Sequence, residues 1–193
     1  MFFKKIRINR LLKKIKLMQH NRVHNQPSSV AILKEIALYH QLAKIYKSLE
    51  GHKKYPFAAD MVIECYRASA VIEDSEAQFL VATQLLEEAK FREKLQLEGV
   101  FANAANERRT KQLFEEALAY LKTAVSLNHI QAKRLYGLCF INGWGTPVDQ
   151  DHGFEFIVSS IDQENSWHKV PQIFAEMGLN KPEFFSVLMK HRK

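Results

Sequence analysis

AKRLYGLCFINGWGTPVDQDHGFEFIVSSI, residues 132–161, decides how this chain is read. Ala132, Leu135, Tyr136, Cys139 and Phe140 recur at the three-and-four spacing of one helical face. Gly143 and Gly145 then stop the helix, because glycine accepts left-handed backbone, and Pro147 cannot continue one. Asp149 or Asp151 can cap a second helix, whose apolar stripe is Phe154, Ile157, Val158 and Ile161. The result is a helical hairpin that must bury one side against something else.

The same residues resemble the Sel-one-like repeat, a relative of the tetratricopeptide repeat with a period of roughly 36 residues. The family pattern is A-x-x-x-L-G-x-x-Y-x-x-G-x-G-V-x-x-D-x-x-x-A. Ala132, Gly137, Gly143, Gly145 and Asp149 match it in register. Tyr136, Phe140, Thr146 and Gly153 stand where the family has Leu, Tyr, Val and Ala. Gly153 is expected to weaken its helix by about 1 kcal/mol relative to Ala. The resemblance implies an all-α chain, a short α/α solenoid of imperfect hairpins. It also implies a non-enzymatic adaptor or scaffold subunit of a larger protein complex, of the kind that serves bacterial secretion or envelope assemblies.

Composition agrees with a helical globular chain: 193 residues, 47% apolar, 25% charged, seven Gly and five Pro. No run reaches the ~18 apolar residues of a membrane span. Cys65 and Cys139 lie far apart on apolar helical faces, so both are expected as reduced core thiols. No secretory signal is apparent, and the acid-free N-terminus only partly resembles a transit peptide, since its lysines outnumber its arginines. A cytoplasmic location is expected, or the cytoplasmic face of a membrane.

The formal charge of +7 is unevenly placed. Residues 1–34 hold nine Lys and Arg and no acid, which leaves −2 for residues 35–193. Residues 1–27 therefore read as a basic amphipathic arm and linker. Ile8, Leu11, Leu12, Ile15 and Met18 share one face, and Phe2, Phe3 and Ile6 extend the apolar surface. Lys4, Lys5, Arg7, Arg10, Lys13, Lys14 and Lys16 supply the basic face. Three uses stay open: docking on the body, insertion into a partner protein, and attachment to an anionic membrane surface. Nucleic acid is the weakest expectation, because no aromatic platform or recognised motif accompanies the charge.

Residues 28–161 read as the repeat domain. Ser28 or Ser29 caps a helix lined by Ile32, Leu33, Ile36, Tyr39, Ala43 and Tyr46, which ends at Gly51. Leu42, Ala43, Tyr46 and Gly51, with Ala59 eight residues on, echo Tyr136, Gly137, Phe140, Gly145 and Gly153. Ala77 opens the next unit and Ala132 the last, 55 residues apart. That is about 19 more than the period, so an insertion is expected near residues 88–109: one long helix runs from Ala77 through Leu97, EGVFANAANERR follows as turn formers, and the next helix starts near Leu113. Residues 162–193, with Phe184, Phe185, Val187, Leu188 and Met189, read as capping helices.

Motifs for chemistry are missing. There is no G-x-x-x-x-G-K, G-x-S-x-G, H-E-x-x-H or C-x-x-C. His20 and His24 are spaced for a shared metal, but nothing nearby completes a site. GWGTP is explained by the repeat turn. No catalytic residue, cofactor or metal is expected.

Overall fold

The structure, a computed structural model, describes residues 2–191, with the side chain of Phe2 outside that description. Among the described residues it is all-helical, with nine α-helices, one short 3-10 helix and no strand. They are α1 (Phe2–His24), α2 (Ser29–Lys47), α3 (Ala58–Ala70), α4 (Ser75–Leu97), α5 (Ala104–Ser126), α6 (Ile130–Asn142), α7 (Gln150–Glu164), α8 (Val170–Glu176) and α9 (Pro182–His191). The chain divides into two compact units, Met1–Val81 and Ala82–Lys193, and the division falls inside α4.

In the first unit α1 packs on α2 and α2 on α3. Ile8, Leu11 and Ile15 of α1 join Tyr39, Leu42 and Tyr46 of α2 and Val62 and Cys65 of α3 in one core. Burying side chains of this size stabilises by about 1.5–3 kcal/mol each. Ser28 is the N-cap of α2, its hydroxyl accepting from the Ala31 N–H. The expected stripe of α2 is corrected at one end: Leu33 is exposed, and Glu35 takes the buried position. Helical phase explains this, since Glu35, Tyr39, Leu42 and Tyr46 follow the three-and-four spacing and Leu33 lies across the helix from them. A second correction concerns Ala59. It is exposed, and Ala58 is the buried first residue of α3, so the turn of this hairpin is one residue shorter than the echo with residues 145–153 requires.

In the second unit α5 packs on α6, α6 on α7, and α7 on α9. Phe154, Ile157 and Ile161 of α7 form a core with Leu138 and Ile141 of α6, Ile173 and Phe174 of α8, and Leu188 of α9. The C-terminal helices thus cover the apolar face of α7. Five consecutive helices, α4 to α8, end the same way. A residue in left-handed conformation (Gly99, Asn128, Gly143, Asn165 or Gly178) is followed by an N–H that bonds to the carbonyl five residues back.

Within the expected insertion near residues 88–109, the long helix through Leu97 is present, and the turn-forming stretch after it is much shorter than expected. α4 continues to Leu97 and α5 begins at Ala104, nine residues before the expected start, leaving only residues 98–103 outside a helix. The Asn103 side chain caps α5 by accepting from the Ala105 and Asn106 N–H groups at 3.1 and 2.9 Å. Asn106 is buried and holds the two helices together through the Arg92 carbonyl and the Gln96 side chain. The departure from expectation is therefore the early start of α5, which turns residues 104–112 into helix.

Candidate functional site

The arm is not a separate appendage. Of the uses left open for the arm, docking on the body is the one Ile8, Leu11 and Ile15 show: they are buried in the core of their own unit, so the partner-binding role is corrected for all three. Leu12 packs against the same core, and Ile6 and Met18 are half-buried. Phe3 is exposed, and the Phe2 side chain lies outside the description. Lys4, Lys5, Arg7, Arg10, Lys13, Lys14 and Lys16 are all exposed, as the basic face requires. Lys4 Nζ donates to the Ser48 hydroxyl at 2.9 Å and its carbonyl at 3.3 Å, so the start of α1 meets the end of α2.

The signature residues each have a structural job. Ala132 is fully buried, and its N–H donates to Nδ1 of His129, the N-cap of α6. The same arrangement occurs one unit earlier. Left-handed Glu73 precedes the cap Asp74, whose carboxylate accepts from the Ala77 N–H at 3.1 Å, as left-handed Asn128 precedes His129. Gly143 ends α6 at φ +74°. Asp149 Oδ1 accepts from the His152 N–H at 3.0 Å and caps α7. Gly145, at φ +75°, presses its backbone onto α5: a Cβ there would lie 2.5 Å from the Phe114 carbonyl oxygen. The turn can approach α5 only as glycine.

That approach builds the candidate site. It carries Trp144 onto Phe114, the rings parallel within 1° and their centroids 6.2 Å apart. Lys90 Nζ sits 3.7 Å from the Trp144 ring centroid, a cation–π contact, and burial holds the Lys90 pKa below its ordinary value. Beside the stacked pair opens a cleft of about 600 Å³ between the end of α4, the outer face of α5 and residues 143–147. Leu97, Phe114 and Trp144 give it apolar walls, and Glu93, Glu107, Glu115 and Lys111 also line it, an excess of two negative charges among the lining residues that Lys90 on the Trp144 ring partly offsets. Lys111 and Glu115 are exposed and 3.9 Å apart, so they bind each other weakly and leave the carboxylate free to meet another cation.

Other candidate clusters resolve into packing. Asp74 accepts from Ser69 Oγ and bonds His40 Nε2, both at 2.5 Å and through the same oxygen. A nucleophile needs its hydroxyl on the histidine, and here both groups bind the carboxylate, so this is a buried helix cap. His24 Nδ1 bonds the His20 carbonyl at 2.8 Å, and among the described residues no group of three His, Cys, Asp or Glu side chains could hold a metal ion. Cys65 and Cys139 are free and buried, and burial pushes each thiol up to about 12. No helix among the described residues is long and apolar enough to cross a membrane.

Trp144, Phe114, Lys90, Glu93 and Glu107 were not candidates in the sequence. One signal was present: a tryptophan stands between the two signature glycines, where a turn needs no large ring. No protein-family model matches this chain, and no curated protein matches it.

Proposed function

We propose that this chain is a Sel-one-like helical-repeat protein that binds another protein, serving as an adaptor or as a subunit of a larger assembly. The cleft beside Trp144 takes a cationic segment of that partner. The repeat reading is supported by the two matching junctions at residues 73–77 and 128–132, and by the signature turn over residues 143–149. The binding reading rests on one observation above all: an aromatic-walled cleft of about 600 Å³ whose lining carries three carboxylates. Clefts of this size suit a short peptide stretch. Trp144 is an aromatic anchor of the type that dominates interface energies, and the surplus carboxylates select Lys or Arg on the ligand.

The test is selection of random peptides displayed on phage against the full chain, followed by titration of tryptophan fluorescence. Lys- and Arg-rich peptides are expected, with binding lost in Glu107→Lys/Glu115→Lys and in Trp144→Ala. Peptides without basic residues, or binding unchanged by both substitutions, would overturn the reading.

A further inference from the structure

The positive charge of the protein belongs to one unit. Residues 1–81 contain fourteen Lys and Arg and seven Asp and Glu, a net +7, while in residues 82–193 fourteen bases cancel fourteen acids. Within the first unit the charge is concentrated again. α1 contains no acid, and the only acid of α2, Glu35, is buried and bonded to Arg22. The outer faces of α1 and α2 together form a continuous surface without a single carboxylate.

That surface also carries apolar side chains that the core does not use. On α1, Arg7, Arg10, Lys14 and Leu17 follow one another at helical spacing and are exposed. On α2, Val30, Leu33, Lys34, Ala37 and Lys44 do the same. Leu17 is 62% exposed, Leu33 65% and Val30 59%. Leu17, Met18, Ala37 and Leu38 line an open groove of about 350 Å³ between the two helices, with Lys14 and Lys34 on its margins. Burial of Ile8, Leu11 and Ile15 fixes α1 with this face outward. The apolar groups therefore stand among cations rather than opposite them.

We propose that the α1–α2 face docks on an anionic lipid bilayer. The lysines and arginines meet lipid phosphates and carboxylates, each contributing through the negative surface potential. Leu17, Val30 and Leu33 enter the headgroup–acyl boundary, where an apolar side chain leaves water. Nucleic acid fits the charge but not the aliphatic groups, which gain nothing from a phosphodiester backbone. An acidic protein would need its own carboxylates interleaved with apolar side chains, whereas a bilayer offers both layers at every point. The proposal is independent of the cleft beside Trp144, which lies in the other unit.

The test is co-sedimentation of the full chain with vesicles of phosphatidylcholine, alone and with phosphatidylserine added. Binding is expected only with phosphatidylserine, falling as salt is raised. Leu17→Ser/Leu33→Ser and Arg10→Glu/Lys14→Glu are each expected to weaken it roughly tenfold or more. All four residues are exposed, so circular dichroism and melting should stay as in the parent chain. No binding to phosphatidylserine vesicles would overturn the proposal. So would full binding by the serine variant, or duplex DNA or RNA bound more tightly than the vesicles, since either leaves only charge.

Discussion

Gly137 on α6 and Gly153 on α7 face each other so closely that a Cβ on either would lie within 2.6 Å of the other's carbonyl oxygen. Gly153 was expected to be a weak point, since alanine is the better helix former by about 1 kcal/mol. Packing reverses the sign. Gly153→Ala should destabilise by about 1–3 kcal/mol, because the obstructing atoms are backbone and Ile141, and the helices must separate to admit a methyl. Gly137→Ala should behave likewise. Urea unfolding of both variants checks this, and a stabilised Gly153→Ala would show that the helices do not approach so closely.

Glu35 makes a second prediction. Its carboxylate is 2% exposed, with Oε2 accepting from Arg22 Nε at 3.2 Å and Oε1 having no hydrogen-bond partner among the described residues. Arg22→Ala should cost up to about 3 kcal/mol, the low end for a broken buried pair because the arginine itself is partly solvated. Arg22→Ala/Glu35→Met should recover most of that loss, since removing both partners leaves no buried charge. A double variant no better than the single one in chemical denaturation would refute this account of the pair.

The His40–Asp74 contact makes stability depend on pH. The hydrogen bond to Asp74 raises the His40 pKa against the opposing effect of burial. Burial pushes the Asp74 pKa up, but bonds from His40, Ser69 and the Ala77 N–H outweigh it and the net direction is down. The histidine contribution is complete below the unfolded value near 6.5 and is lost as pH rises through the folded value. The aspartate contribution is present above about pH 4 and lost as pH falls through its depressed folded value. The contact should therefore stabilise best between about pH 4 and 6.5. The melting temperature of the parent chain should drop between about pH 6 and 8 by more than that of His40→Gln. Parallel melting curves for the two proteins would count against the contact.

Leu11 tests the place of the first helix. It is buried beside Ile8 and Ile15, so Leu11→Ala should cost about 2–5 kcal/mol by transfer and cavity. A freely projecting arm would give no measurable loss in thermal melting.

The helices were legible wherever local signals agreed. Ser28, Asp149 and the left-handed Gly143 stand where a cap or stop was expected, and the helical face of residues 132–140 is buried at Ala132, Tyr136 and Cys139. Most of what failed needed partners distant in sequence. Gly153 was judged by propensity, and only Gly137 across the helix pair shows its use. EGVFANAANERR was read for its turn formers, yet the Asn103 cap starts a helix in the middle of it. The arm's apolar face had several conceivable acceptors, and amphipathicity does not say which one takes it. The cleft was invisible for the same reason: Lys90, Phe114 and Trp144 come from three stretches that meet only through the glycine turn.

The five left-handed helix ends of α4 to α8 bear on how fast the second unit can fold. Each reversal is closed by a bond within the helix's own last turn, so each helix terminus can form before any distant contact exists. Loop closure then costs little, because short connections lie between successive partners. Low contact order of this kind goes with rapid folding. The rate-limiting event becomes the seating of one ready-made hairpin on the next, and the pressing together of Gly137 and Gly153 is the tightest part of that seating.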